Sequence, residues 1–440
     1  MPEEGNATAL DSRQRATVYV LCACTGIVEG FGLQSGGMAA PKFAAEFHMT
    51  PDQVGGIFLL TSLGLALGAS MGGWWGDRIG AGRVMGAAVA LFSMASIGSA
   101  TTWDGTSLAI MRTLAGLGLG GALPNMITLL TYVGPPASAP RRVTLAIAAI
   151  SLGSLTVGLI VLFGSPDISW RLLFHLGGWF ALLVAAIIFL LLPRVVVRRT
   201  SQAAETTKRG DQWQALFGRG HVTITLSLWL AFFVTAATSY LLINWMPTFL
   251  LHSGLDPHQV GIGMIGLAIG GASGPIILAA LLRPGSMRMV ICLAYSGIVL
   301  GLACLMSAPK SLVYLCVAIV FTGFFTSGTQ ALLFGLVGSF YPVAARGTGV
   351  GSAVAVGRIG SGAGPALAGI MLAAGLTQER VMAAAVPMLV LALLALLLLL
   401  RRPPEGLQRL APFSAGSGAS SNRPGRTWSR CFPRSNRRRG

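Results

Sequence analysis

A chain of 440 residues in which 53% are hydrophobic and only 10% charged, with a mean hydropathy of +0.71, cannot cover a surface that faces water; soluble globular chains carry about 25% charged residues. The net charge of +17, from 31 Lys and Arg against 14 Asp and Glu, sits between apolar runs and in the last stretch of the chain, which favours anionic lipid over nucleic acid as the basic side chains' partner. These balances exclude a disordered chain, a fibrous one and an ordinary water-soluble enzyme, and leave lipid as the main solvent.

Residues 1–15 are polar, contain Glu3, Glu4 and Asp11, and form a short N-terminal segment. The apolar run behind them is too long for the core of a cleaved signal peptide. Twelve apolar runs follow, over 16–40, 54–75, 84–102, 107–132, 143–164, 171–192, 222–250, 260–282, 288–306, 312–338, 348–374 and 381–400. Each is near the roughly 20 residues that a spanning helix needs. Backbone groups in hydrocarbon must be satisfied within their own segment, so helices are expected, and the short alternating strands of a membrane barrel are missing. The basic stretch 193–221 divides six runs from six, which gives an N-terminal half over 16–192 and a C-terminal half over 222–400. Such a 6+6 pattern points to a carrier built from two repeated halves, with its substrate near the membrane midplane between them. Residues 401–440 form a basic tail rich in Arg, Ser, Gly and Pro, expected to be disordered.

Charge sets the orientation. With the N-terminus in the cytoplasm, the cytoplasmic side ahead of the tail holds 15 Arg and Lys, and the outer side holds Lys42, Arg171, Lys310 and Arg380. The excess places both termini inside, in a multi-pass protein of a cell's inner membrane. Cys22, Cys24, Cys292, Cys304 and Cys316 lie in apolar runs and Cys431 in the tail, with no CxxC pair, so neither a metal site nor a disulfide framework is expected. No nucleophile–base constellation or cofactor fingerprint is present either, which argues against an enzyme.

An ionisable residue inside a spanning helix is costly and therefore a functional candidate. Glu29 is the one acid well inside a run, and a carboxyl group out of water can exchange a proton near neutral pH, as proton coupling requires. Arg112 and Arg358, one from each half, carry the planar fork that matches a carboxylate, and together with Glu29 they leave the core with excess positive charge. An anionic substrate follows from that excess. Gln34, Asn125, Asn244 and Gln330 are further polar candidates, and Phe31, Tyr240 and Trp245 are candidate aromatic walls. Between the second and third runs, Gly73, Gly76 and Gly80 surround Asp77, Arg78 and Arg83. Glycine allows close approach and a tight turn, and Asp77 can cap a helix or pair with an arginine, so this stretch reads as a cytoplasmic gate. The glycines of 116–121 follow no strand and read as helix packing, not as a phosphate loop.

These residues resemble the major facilitator superfamily. Gly73-x-x-x-Asp77-Arg78-x-Gly80 is similar to its motif between spans two and three, Arg112 with Gly116-Leu117-Gly118 to its span-four motif, and Tyr341-Pro342 with Arg346-Gly347-Thr348-Gly349 to its motif between spans ten and eleven. Glu29-Gly30-x-x-Leu33-Gln34, Ala122-Leu123-Pro124-Asn125, Leu242-Ile243-Asn244-Trp245-x-Pro247 and Thr348 to Arg358 look like the aromatic acid:proton symporters, and among them most like the 3-(3-hydroxyphenyl)propionate transporters. The resemblance implies uptake of an aromatic carboxylate with a proton by rocking of the two halves, without a cofactor and as a monomer. It also implies Glu29, Asp77, Arg112 and Arg358 as the functional set. The chain departs from the family at Gly32, where a second acid is usual, and in the thinned basic run Ala81-Gly82-Arg83. Two rivals remain at this stage: an exporter of drugs or aromatic compounds, and a membrane sensor that transports nothing. No proline lies in 143–164, where the superfamily's proton antiporters usually carry a Gly-Pro motif.

Overall fold

The computed structural model describes residues 11–133, 139–164, 169–192, 217–218, 221–282, 286–307, 311–337, 340–341 and 346–401. Most of the central basic stretch, the tail from 402 onward, and Pro342 of the motif between spans ten and eleven lie outside the described residues. Among the described residues there are twelve long helices and no strand. In chain order they are α1 Ser12–Glu46, α2 Pro51–Ile79, α3 Ala81–Ala100, α4 Gly105–Tyr132, α5 Ala139–Phe163, α6 Trp170–Leu191, α7 His221–His252, α8 Pro257–Leu281, α9 Met287–Met306, α10 Leu312–Val337, α11 Arg346–Ala373 and α12 Gln378–Arg401.

The helices start where local chemistry can satisfy their first N–H groups. Asp11 with Gln14, Thr50 with Gln53, Asp104 with Ser107 and Asp256 with Gln259 each form a reciprocal capping box, and Pro51 and Pro257 fill first positions that need no donor. These caps carry α1 and α2 several residues beyond the expected runs. Ten of the helices are long and apolar enough to cross a membrane by length and composition. In α5 the described apolar stretch is the shorter Ala149–Phe163, and α11 is diluted by Arg358 and by glycines used for packing.

The helices form two six-helix halves of matching plan. In the first half α2 packs on α4, α1 on α5 and α3 on α6; in the second α8 packs on α10, α7 on α11 and α9 on α12. Two crossed pairs, α2 with α11 and α5 with α8, join the halves along their flanks, and α1 meets α7 between them. Twelve crossings bring both chain ends to one side of the bundle, called here the terminal end; the opposite side is the far end.

Contacts between the halves gather toward the far end. A methyl carbon on Gly369 would lie 2.5 Å from the carbonyl oxygen of Pro51, one on Gly55 3.1 Å from that of Pro365, and one on Gly37 2.5 Å from that of Ile243. On the other flank, Gly158 and Gly261 bring α5 and α8 together, and the ring of His258 meets the Leu162 carbonyl at 2.6 Å. Three prolines inside helices mark this region: Pro41 in α1, Pro247 in α7 and Pro365 in α11. A proline donates nothing to the carbonyl four residues before it, which frees those of Gly37, Ile243 and Ser361. The Ser62 hydroxyl of α2 donates to the Ser361 carbonyl across the seam at 3.3 Å. Without a hydrophobic drive in lipid, such small-residue packing and interhelical hydrogen bonds are what hold helices together.

Candidate functional site

Between the halves, beside the α1–α7 crossing, lies a cavity lined by Leu33 and Gly36 of α1, Thr61 and Ser62 of α2, Arg112 and Leu119 of α4, and Tyr240 and Asn244 of α7, with Phe43, Ile57, Phe58 and Leu65 completing an apolar wall. A helix repeats its face every three to four residues, so Glu29 stands on the same stripe of α1 as Leu33 and Gly36, one turn nearer the terminal end.

Glu29 is only 2% exposed, and its Oε2 has no hydrogen-bond partner among the described residues. The charge that acts on it is the Arg358 guanidinium of α11, from the opposite half. The two form no ion pair within 4.0 Å, unlike Arg171 and Glu46 at 2.7 Å. Arg358 is half-buried and donates from Nη1 to the Tyr240 hydroxyl at 3.4 Å, which ties its head to the cavity wall. Arg112 is 3% exposed, donates from Nη2 to the Gly32 carbonyl at 3.2 Å, and lies over the Phe174 ring at 4.9 Å. Its Nη1 is buried without a partner. Of the three charged groups Arg112 alone lines the cavity, Arg358 reaches its wall through Tyr240, and Glu29 lies one turn away, with Glu29 Oε2 and Arg112 Nη1 left without a partner among the described residues. Buried polar atoms left unpaired in this way cost stability and point to a ligand or a proton as the missing partner.

The structure also accounts for the departure at Gly32. A methyl carbon there would lie 2.8 Å from the Phe92 ring and from Leu119, so a larger side chain enters only if those two side chains shift, and the Gly32 carbonyl accepts from Arg112. Asn244 lines the cavity and donates to the Tyr240 carbonyl at 2.8 Å. Gln34 is buried near the site with its Nε2 unpartnered.

Several expected residues stand elsewhere. Asn125 spends its amide donors on Gly72 and Gly121 carbonyls at 2.9 and 2.8 Å, locking α4 to α2 away from the cavity. Trp245 donates to the Pro365 carbonyl at 2.9 Å and packs on Phe58 and Phe249, so it belongs to the seal between halves. Phe31 fills the space left by Gly177 of α6. Gln330 is half-buried on α10 and does not line the cavity. Sequence reading missed Thr61 and Ser62, because hydroxyls within a helix usually bond their own backbone, as Thr61 does to Ile57 at 2.7 Å.

In the gate stretch, Gly80 adopts a φ of 99°, which glycine alone takes readily, and it ends α2. Gly72 and Gly76 make the close approach to α4, at Gly121 and Asn125, whereas a methyl on Gly73 would meet nothing within 4 Å. Asp77, Arg78 and Arg83 are exposed, and Arg78 lies 3.5 Å from the centre of the Trp74 ring. Among the described residues no group of three His, Cys, Asp or Glu gathers to hold a metal ion.

The chain matches the family model described as the Major Facilitator Superfamily over residues 22–308 and 285–432. It is 37% identical over 385 residues to the 3-(3-hydroxy-phenyl)propionate transporter of Escherichia coli (strain K12), with 87% of this chain and 93% of that protein covered. It is 28% identical to the gallate transporter of Pseudomonas putida, covering 82% and 86%, and 27% identical to the 4-hydroxybenzoate transporter of Pseudomonas aeruginosa, covering 87% and 91%. Among solved structures, a D-xylose-proton symporter matches with a TM-score of 0.71 at 18% identity, over 89% of this chain and 98% of that one. A bacterial homolog of the human lysosomal transporter Spinster, inward-facing and occupied, matches with a TM-score of 0.68 at 18% identity over the same shares. At such identities these likenesses show the fold alone.

Proposed function

The chain belongs to the Major Facilitator Superfamily, a family of transporters and not of enzymes, and we propose that within it the protein imports an aromatic carboxylate together with a proton. The observation that carries this reading is the unbalanced charge of the central site: Glu29 against Arg112 and Arg358, with Glu29 Oε2 and Arg112 Nη1 both buried and unpartnered. A carboxylate supplies the missing anion, and the apolar wall of Leu33, Phe43, Ile57, Phe58, Leu65 and Leu119 suits a ring in chemistry, although the cavity holds only about 20 Å³ here and must widen to admit one. The named substrates of the similar transporters are of the same chemical class.

Coupling follows from electrostatics. An anion that takes up the charge of Arg358 leaves the Glu29 carboxylate uncompensated in a low-dielectric site, and a proton then neutralises it. Substrate and proton thus favour each other's binding, and by linkage the effect is reciprocal. Placing the terminal end in the cytoplasm, as the basic residues favour, makes this the inward-facing form. The gate stretch around Asp77, exposed here, is then the surface that closes when the far end opens. Asp77, Arg78 and Arg83 would act there, with the protein working as a monomer in the inner membrane.

Calorimetry on the purified full-length protein tests the reading. Binding of 3-(3-hydroxyphenyl)propionate near neutral pH should take up about one proton per ligand, seen as a dependence of the measured heat on the buffer's ionisation enthalpy. The Glu29→Gln protein should bind without that dependence. Equal affinity for the uncharged amide analogue would sink the carboxylate assignment.

A further inference from the structure

The polar lining of the central cavity divides by hydrogen-bonding role, and the division follows from where each group's hydrogens go. Arg112 and Tyr240 keep donors for a ligand. Nη1 of Arg112 has no partner, and the Tyr240 hydroxyl accepts from Arg358 at 3.4 Å, so its own hydrogen is unspent. Thr61, Ser62 and Asn244 are the other polar side chains of the lining. Thr61 donates to the Ile57 carbonyl at 2.7 Å, Ser62 to the Ser361 carbonyl at 3.3 Å, and the Asn244 amide to the Tyr240 carbonyl at 2.8 Å. A hydroxyl has one hydrogen to give, and its oxygen keeps lone pairs; an amide oxygen only accepts. The bond to a carbonyl also fixes which end of the Asn244 amide is nitrogen. What these three side chains have left for a ligand is chiefly acceptor capacity.

We infer that Thr61, Ser62 and Asn244 select the substituent on the ring: they accept the hydrogen bond of a ring hydroxyl and turn away a group that can only accept, such as a methoxy. The inference rests on the aromatic-carboxylate reading above and adds a second polar anchor to it, on α2 and α7, beside the cation on α4.

Two features support it. The acceptor character does not depend on how the halves stand. Thr61 and Asn244 spend their hydrogens on carbonyls of their own helices, four residues back, so both keep an acceptor to offer as the cavity widens from the 20 Å³ it holds here. Ser62 differs, because its partner Ser361 lies on α11 in the other half. A ring hydroxyl that donates to Ser62 extends a chain of hydrogen bonds across the seam, and the members of such a chain polarise one another. The rest of the wall is apolar side chains, Leu33, Phe43, Ile57, Phe58, Leu65 and Leu119. A ring hydroxyl buried among them without an acceptor would lose its bonds to water and gain nothing in return.

The experiment is calorimetric binding to the purified full-length protein of three acids that differ at one ring position. They are 3-(3-hydroxyphenyl)propionate, 3-phenylpropionate and 3-(3-methoxyphenyl)propionate. One neutral hydrogen bond corresponds to about three- to ten-fold in affinity. Wild type should therefore prefer the hydroxy acid over the unsubstituted one by that factor, and should bind the methoxy acid most weakly. The variant Thr61→Val with Ser62→Ala and Asn244→Leu should bring the preference for the hydroxy acid within two-fold, and Thr61→Ser alone should retain it. The three acids on wild type test the inference even if the triple variant does not fold. Equal affinity of wild type for the hydroxy and methoxy acids would overturn the subsite, and so would an undiminished preference in the folded triple variant. Either result leaves the carboxylate reading standing as long as the acids still bind better than their uncharged amides. No binding of any of the three acids to wild type would remove both.

Discussion

Helix α2 carries two glycine seams that differ in kind. Toward α4, within its own half, methyl groups on Gly64, Gly68 or Gly72 would overlap the backbone of Thr113, Leu117 and Gly121. Toward α11, in the other half, the equivalent approaches at Gly55 and Gly369 leave 3.1 and 2.5 Å, and a single side-chain hydrogen bond, Ser62 to Ser361, crosses at 3.3 Å. The seam toward α4 runs from Thr61 to the terminal side, where Gly76 stands against Asn125. The seam toward α11 is as close at Gly369 but stops before that end, where Gly73 meets nothing. Backbone-on-backbone packing over four successive turns makes a joint that does not open easily. Packing confined to one end, eased by prolines that interrupt the helical bonds, makes a joint that opens. Two rigid halves joined by a seam at one end are what the alternating access proposed above would require.

The comparison breaks most visibly at the permanent seam. Gly68→Val forces a branched side chain onto the Leu117 carbonyl and should cost about 3 kcal/mol or more, the upper range of overpacking, because backbone cannot yield as a rotamer does. The expected outcome is loss of folded protein on size-exclusion chromatography; a monodisperse variant of wild-type melting temperature would refute permanence. At the reversible seam, Gly369→Ala should leave the fold intact but weaken the far-end contact with Pro51 by about 1–2 kcal/mol, the cost of modest overpacking. Labelling of a cysteine introduced at the far end should then rise about five- to thirty-fold, and unchanged labelling would place the hinge elsewhere.

The smallest effect concerns pH. The hydroxyl and backbone N–H of Ser107 hold the Asp104 carboxyl below its usual range at the start of α4. A lowered carboxyl contributes stability above the ordinary aspartate range and loses it as pH falls through the folded-state value. Acidification should therefore lower the melting temperature slightly in wild type and less in Asp104→Ala, without changing far-end labelling. Equal slopes in the two proteins would remove the cap from the account.

Much of the architecture was legible because lipid imposes simple rules. Long apolar runs must be helices, and the basic stretch between the sixth and seventh divides two halves. Glu29, Arg112 and Arg358 were legible for the same reason, since a charge in such a run stands out. What escaped was pairing in space. Asn125 and Trp245 look like ligand groups in a linear reading, yet their donors are spent on carbonyls of other helices. Gly73 and Gly72 are one residue apart, but only Gly72 faces α4, and no periodicity of glycine alone gives that phase. Gly32 looks like a lost acid, and only the structure shows that Phe92 and Leu119 side chains occupy the space beside it. The Glu46–Arg171–Trp170 cluster joins residues more than 120 positions apart and left no local signal.

The most direct test of the account is accumulation in proteoliposomes under an imposed inward proton gradient, with labelled 3-(3-hydroxyphenyl)propionate as the probe. Wild type should concentrate the acid inside, and a protonophore should collapse that accumulation. Glu29→Gln should equilibrate labelled substrate across the membrane but never concentrate it. Undiminished, gradient-driven accumulation by Glu29→Gln would contradict the claim that this buried carboxyl couples the proton to the substrate.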